Sequence, residues 1–185
     1  MRIIAGKAGR VAIRVPGEVT RPTTDFVRQA VFSILGEKVD GARVADLFAG
    51  SGAIGLEALS RGAASCEFVE QNRKATGVIR ANLEKARLEG GHVTAGDVHA
   101  WAKRCAATFD LVFADPPYAK SKLDRDHLAE LLALPAAAAM LAPGGYWIVE
   151  QPAERDLPPA GGLRLIDRRE YGNCAILLYG HPAES

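Results

Sequence analysis

The chain has 185 residues, of which 48% are hydrophobic and 24% charged, with a formal net charge of +1. That profile suits one globular domain with a full core and excludes a disordered chain. No apolar run reaches the roughly 20 residues of a membrane-spanning helix, and the opening residues are too polar for a signal peptide.

Three cysteines, Cys66, Cys105 and Cys174, stand far apart without a CxxC. The spacing argues against a disulfide framework or a zinc site, and for a reducing cytoplasm. Charge is uneven. Residues 1–30 hold six basic side chains (Arg2, Lys7, Arg10, Arg14, Arg21, Arg28) against Glu18 and Asp25. A basic segment on a near-neutral body points to an anionic partner such as nucleic acid, or to an ordinary solvated hairpin.

Ile3-Ile4 and the run over 11–15 bracket Gly6-Lys7-Ala8-Gly9, which reads as a β-hairpin. Phe26, Val27, Ala30, Val31, Ile34 and Leu35 share one helical face, and Gly36 marks its end. From Asp40-Gly41 onward, strands and helices alternate. Strands are expected over 44–48, 66–70, 93–95, 111–114 and 146–150. Helices are expected over 54–60, 73–89, 98–106 and 123–141, the last interrupted at Pro135. Such order implies a mostly parallel sheet covered by helices. The tail differs: 163–169 and 174–179 read as strands with no room for a helix between them, so they should form an antiparallel hairpin.

The chemistry concentrates at the ends of these strands. The apolar run over 109–114 is followed by Asp115-Pro116-Pro117-Tyr118. Proline lacks an N–H and fixes its own φ, so the strand stops abruptly and leaves an acid at its carboxyl end. Ligands of open α/β sheets bind at that end. A carboxylate and a proline carbonyl can accept both protons of one planar NH2 group, and the tyrosine can stack on the ring that bears it. The lesser reading of the tetrapeptide alone is an acidic cap on a Pro-Pro turn.

Upstream, Asp46-Leu47-Phe48-Ala49-Gly50-Ser51-Gly52-Ala53-Ile54-Gly55 carries the G-x-G-x-x-G pattern, and Glu70 follows where an acid can bind ribose hydroxyls. By itself this pattern would equally serve a dinucleotide. Asp46 favours a positively charged ligand over a pyrophosphate, because like charges repel. S-adenosylmethionine carries a sulfonium and an ammonium. Asp97, after the third strand, is either an acceptor for an adenine amino group or the N-cap of the next helix.

The matching segments are Met1-Arg2-Ile3-Ile4-Ala5-Gly6-Lys7, Arg21-Pro22-Thr23-Thr24-Asp25, the glycine loop continued through Ala63, Phe68-Val69-Glu70 and Asp115-Pro116-Pro117-Tyr118. In order, spacing and total length these segments resemble the RsmD family, which methylates guanine N2 in 16S ribosomal RNA. The resemblance implies a Rossmann-like class I S-adenosylmethionine-dependent methyltransferase. Its sheet would be seven-stranded and mostly parallel, with an antiparallel C-terminal hairpin and a small N-terminal hairpin and helix extension. Residues 1–185 would be one domain, with 1–40 contacting RNA and 41–185 forming the catalytic core.

The resemblance places S-adenosylmethionine on Asp46, Phe48, Gly50, Gly52, Glu70 and Asp97, and the target amine at Asp115, Pro116, Pro117 and Tyr118. It assigns substrate RNA to Arg10, Arg21, Thr23 and Thr24. The partner implied is 16S ribosomal RNA or the small ribosomal subunit, met by a cytoplasmic monomer. The chain departs from the family at Phe26, where a basic residue is common, at Gln29, where Glu is common, and at Val11-Ala12, where a further basic residue is common.

In the expected reaction guanine N2 displaces the sulfonium, which is already a good leaving group, so neither a metal nor a membrane is expected. The tetrapeptide also suits adenine N6 or a protein glutamine amide. A nicotinamide-dependent oxidoreductase would use the glycines but not the tetrapeptide, and a non-catalytic RNA-binding module would use neither acidic motif. The four histidines have no metal-ligand spacing and read as structural, and Trp101 and Trp147 read as core.

Overall fold

The computed structural model describes residues 1–17, 25–117, 125–158 and 160–182. They form two compact units, Met1–Val98 and His99–Ser185. In the first unit, α1 (Asp25–Leu35) runs into a short 3-10 turn over Gly36–Val39. β1 (Arg43–Leu47), α2 (Ala53–Ser60), β2 (Ser65–Glu70), α3 (Arg73–Ala86) and β3 (Gly91–Ala95) follow. The three strands are parallel in the order β3-β2-β1. Val44, Ala45 and Leu47 are fully buried, as are Cys66, Phe68 and Val69. Strands covered on both faces read as continuous apolar runs, which is why these two were visible in the sequence.

The second unit carries most of α4 (Val98–Ala102), then β4 (Phe109–Ala114), α5 (His127–Leu132), α6 (Pro135–Ala139), β5 (Leu141–Pro152), β6 (Arg164–Tyr171) and β7 (Cys174–Gly180). β4 pairs in parallel with β5, and β7 lies antiparallel between β5 and β6. The C-terminal hairpin is therefore as expected. Trp147 is fully buried and donates its indole N–H to the Ala137 carbonyl at 2.9 Å, satisfying its one polar atom inside the core. Asp126 caps α5 through the Ala129 N–H at 3.0 Å.

Several boundaries differ from the sequence reading, each for a local reason. The first hairpin is held by a single bridge, Arg2 to Ala12, with Ile3 N–H to Val11 O at 3.0 Å. α3 ends at Ala86, because Arg87 takes a left-handed conformation with φ 52°. α4 stops at Ala102, four residues early. The long helix expected over 123–141 is two short ones within the described residues, separated before Pro135, which occupies the first turn of α6. β5 starts at Leu141 rather than Tyr146. Leu141 already pairs with Phe109, and the register then shifts. The four histidines read as scattered, yet the rings of His99 and His127 lie 5.4 Å apart, and His99 Nε2 approaches the His127 carbonyl at 3.1 Å.

Candidate active site

The glycine loop after β1 is shaped by two carboxylates. Asp46 Oδ2 accepts the Gly55 N–H at 2.9 Å, and the side chain is buried. It satisfies a donor in the first turn of α2 that the left-handed Gly52 at the N-cap cannot. Glu70, at the carboxyl end of β2, accepts the Gly50 N–H through Oε2 at 2.8 Å and the Asn72 N–H through Oε1 at 2.7 Å. Its oxygens are thus fixed in direction, and each keeps a further lone pair for a hydroxyl donor. The Gly96 N–H, just before Asp97, donates to the Glu70 carbonyl at 3.0 Å. Asp97 itself is exposed and immediately precedes α4.

Two backbone features of this loop carry weight. A side chain at Gly55 would run into the Phe68 ring and the Cys66 sulfur, so only glycine lets α2 lie this close to β2. Phe48 has φ 61°, a left-handed conformation that costs a non-glycine residue roughly 1–3 kcal/mol. Sequence reading placed Phe48 in the site but gave no sign of this strain.

The N-terminal segment is anchored on α2 and α3 by buried polar groups. Glu57 is fully buried and accepts the Ile4 N–H at 2.7 Å, the Ala5 N–H at 3.1 Å and Arg61 Nε at 2.7 Å. Ser60 Oγ accepts the Ala8 N–H and donates to the Ala5 carbonyl, and the Lys7 N–H donates to the Ser60 carbonyl at 2.7 Å. Arg28, also fully buried, donates to the Arg2 carbonyl at 2.6 Å and to Asp25 at 3.0 Å. Burial draws its pKa below the usual range, against the pull of Asp25 and Glu57.

Asn82 of α3 reads the backbone of Arg14 in both directions, N–H at 2.8 Å and C=O at 2.9 Å, and donates to the Ser51 carbonyl at 3.2 Å. Glu57, Ser60 and Asn82 were missed in the sequence. The signal available was an acid inside the apolar stretch Leu56-Glu57-Ala58-Leu59, which could be buried only if partnered.

Arg10 is exposed at the end of the hairpin turn, with φ 71° and its N–H on the Ile3 carbonyl at 2.8 Å. A cavity of about 530 Å³ opens between residues 14–17 and the α3 side chains Lys74 and Val78. Arg21, Thr23 and Thr24 lie outside the described residues.

In the second unit, Asp115 follows β4 half-buried, Pro116 is buried and Pro117 is exposed, so the strand ends where the prolines begin. Tyr118 lies outside the described residues. Burial, together with a hydrogen bond to the Glu150 carboxylate and the nearby charge of Asp115, pushes the Cys174 thiol up to about 12. Cys66 is likewise pushed up, by burial first. Among the described residues no cluster of three His, Cys, Asp or Glu side chains could hold a metal ion, and no helix is long and apolar enough to cross a membrane.

The family model described as conserved hypothetical protein 95 matches residues 1–180. Ribosomal RNA small subunit methyltransferase D of Escherichia coli is 31% identical, over 100% of this chain and 91% of that protein. YlbH of Bacillus subtilis, whose name assigns it to rRNA methylation, is 40% identical over 97% and 98%. Among solved structures, the Escherichia coli protein yhhF, described as a methyltransferase, superposes with a TM-score of 0.87 at 30% identity, covering 100% of this chain and 99% of that one.

The glycine pattern alone had left a dinucleotide site open, and the relatives decide for a methyltransferase. The expected fold is also borne out: Rossmann-like, with seven strands, mostly parallel and ending in an antiparallel hairpin. With 180 residues inside the family model and relatives matched nearly end to end, the chain belongs to the RsmD family of class I S-adenosylmethionine-dependent methyltransferases.

Proposed function

We propose that the chain methylates the exocyclic N2 amine of a guanine in 16S ribosomal RNA of the small subunit. The observation that carries this reading is the half-buried Asp115, held at the end of β4 by a buried Pro116, in a chain of this family. S-adenosylmethionine, when bound, supplies an electrophilic methyl group on a sulfonium. The residues present fit it. The Glu70 carboxylate is aimed by two backbone N–H groups and can accept ribose hydroxyls, and the left-handed Gly50 and Gly52 set the turn of the loop beside it, Gly52 lying close against Ile79 and Phe68. Phe48 and Asp97 are assigned to the same ligand. Asp46 acts mainly by fixing the loop through Gly55.

The nucleophile is a weak one, because its lone pair is delocalised into the purine. Asp115 and the Pro116 carbonyl accept the two N2 protons, which turns the lone pair out of conjugation and stabilises positive charge building on nitrogen. Tyr118 stacks on the base, which must first leave its own stack. When the new N–C bond is made, the surplus N2 proton is held at Asp115 or passes to water.

Two expected results follow from these roles. Glu70→Ala should weaken S-adenosylmethionine binding by roughly ten- to a hundredfold, the value of a hydrogen bond to a charged group. RNA affinity should stay as it was. Calorimetry checks this, and an unchanged cofactor affinity would remove Glu70 from the site.

Arg10 and Arg14 are exposed on the anchored N-terminal segment, and Arg14 and Lys74 both line the cavity. We assign this face, with Arg21, Thr23 and Thr24, to the RNA backbone. Arg10→Ala and Arg14→Ala should each flatten the log–log salt dependence of RNA binding by about 0.7–0.9, one phosphate contact apiece. Titrations at several salt concentrations decide it, and an unchanged slope in both variants would leave the face without a role.

The reading as a whole is tested with methyl-labelled S-adenosylmethionine, unmodified small-subunit RNA, assembled subunits and ribosomal protein in separate reactions. Label is expected in RNA. Label confined to protein, or absent from all three, would overturn it.

A further inference from the structure

The tetrapeptide holds any planar amine, so it does not explain why guanine rather than adenine would be methylated. A second acid stands beside it. β4 and β5 run parallel with Ala114 opposite Val149, so Asp115 and Glu150 are the next neighbours along the two carboxyl ends. Side chains alternate along a strand, which puts these two on one face, with strands about 4.8 Å apart. Across the β5–β7 pairing, Glu150 faces Ile176 and Pro152 faces Cys174, so Cys174 sits on the same face, diagonal to Glu150. The electrostatics agree: the Cys174 thiol donates to the Glu150 carboxylate and also feels the charge of Asp115. All three side chains are half-buried, neither sealed in the core nor fully solvated. Two carboxylates thus lie side by side at the mouth of one parallel strand pair, one of them steered by a thiol.

We infer that Glu150 is the specificity-determining acceptor for the guanine ring N1–H, next to Asp115, which takes protons of N2. This rests on the guanine reading above. Guanine presents N2–H and N1–H as adjacent donors on one edge, which two adjacent carboxylates match. Adenine presents a lone pair at N1 beside its amine, and a carboxylate placed against that lone pair repels it. A site built around a hydrogen bond rejects the analogue that lacks the donor far more strongly than a merely apolar pocket would. Cys174 acts on Glu150 rather than on the base, by holding its carboxylate in direction.

The test uses substrate RNA in which the methylated guanine, once mapped, is replaced by 2-aminopurine. That base keeps the N2 amine but lacks O6 and carries a lone pair at N1, so the N1 contact is read from the change in preference between the wild type and a Glu150 variant. The wild-type enzyme should favour guanine by at least about tenfold in kcat/KM, the loss expected when a hydrogen bond to a charged group is missing. In Glu150→Gln the amide can turn an N–H toward the N1 lone pair, so the preference should shrink to within about threefold, a neutral hydrogen bond being worth about half a charged one. A general loss of folding would not move this ratio. Equal wild-type rates on the two RNAs would overturn the inference, as would an unaltered preference in Glu150→Gln. Should that variant fail to fold, Glu150→Ala replaces it, and its guanine preference should shrink likewise. Absence of transfer to the guanine RNA would instead overturn the methylation reading beneath it.

Discussion

Asp115→Ala is expected to lower the rate of methyl transfer at saturating S-adenosylmethionine by between about tenfold and somewhat more than a hundredfold. That range corresponds to one lost hydrogen bond to a charged group, about 1.5–3 kcal/mol. Asp115 belongs to the second unit, while the cofactor is assigned to the glycine loop and Glu70 of the first. Cofactor affinity should therefore be unchanged, and the loss should appear in kcat. Asp115→Asn separates charge from shape: its amide oxygen still accepts one proton, but it no longer stabilises positive charge on N2. It should retain more activity than the alanine variant and less than wild type. Single-turnover transfer, with calorimetry of cofactor binding alongside, measures both quantities. Near-normal transfer in Asp115→Ala would remove Asp115 from the chemistry.

Glu57→Ala is expected to cause the largest loss of stability of any single change considered. The buried carboxylate gathers two backbone N–H groups and Arg61 Nε, with Arg28 Nε at 3.9 Å. Removing it takes an anionic partner from the buried Arg28, which keeps Asp25, and from the half-buried Arg61, and leaves two part-buried amides without their acceptor; breaking a buried ion pair in this way typically costs about 3–5 kcal/mol. Against a total stability of about 5–15 kcal/mol, the variant should fold but be marginal. The amides of Ile4 and Ala5 should lose their hydrogen-exchange protection first, because their acceptor is the group removed. A urea midpoint equal to wild type, with those amides still protected, would contradict the role given to Glu57. Gly6 sharpens the argument, since a side chain there would collide with the Ser60 backbone and push the segment off α2.

Much of the fold was legible because its signals are local. β1, β2 and β4 are near-continuous apolar runs, and α1 is amphipathic with Val27, Val31 and Leu35 buried. Pro116 stops β4 and Pro135 divides the long helix, each by missing an N–H. The acids Asp46, Glu70, Asp97 and Asp115 stood out because each closes or follows a strand.

What stayed hidden depends on distant partners. Glu57 meets Ile4 and Ala5 across more than fifty residues of chain, and Asn82 meets Arg14 across sixty-eight. No periodicity reports such pairings. Arg28 looked like one more basic residue of an RNA-binding segment. It is instead a buried strut bonded to the Arg2 carbonyl, which takes one charge out of the surface that the sequence suggested. Leu141 joined a strand although it was expected to close the helix over 123–141. Its pairing with Phe109 and the left-handed Gly144 let the strand pass through a bend. The closeness of Glu150 to Asp115 could be found only from strand register.

The central claim is that a guanine N2 receives the methyl group. The most direct measurement is mass spectrometry of nucleosides from small-subunit RNA treated with the enzyme and S-adenosylmethionine. The account predicts one new product, N2-methylguanosine, absent without enzyme and sharply reduced with Asp115→Ala. N6-methyladenosine in its place, or a methylated product unaffected by Asp115→Ala, would contradict it.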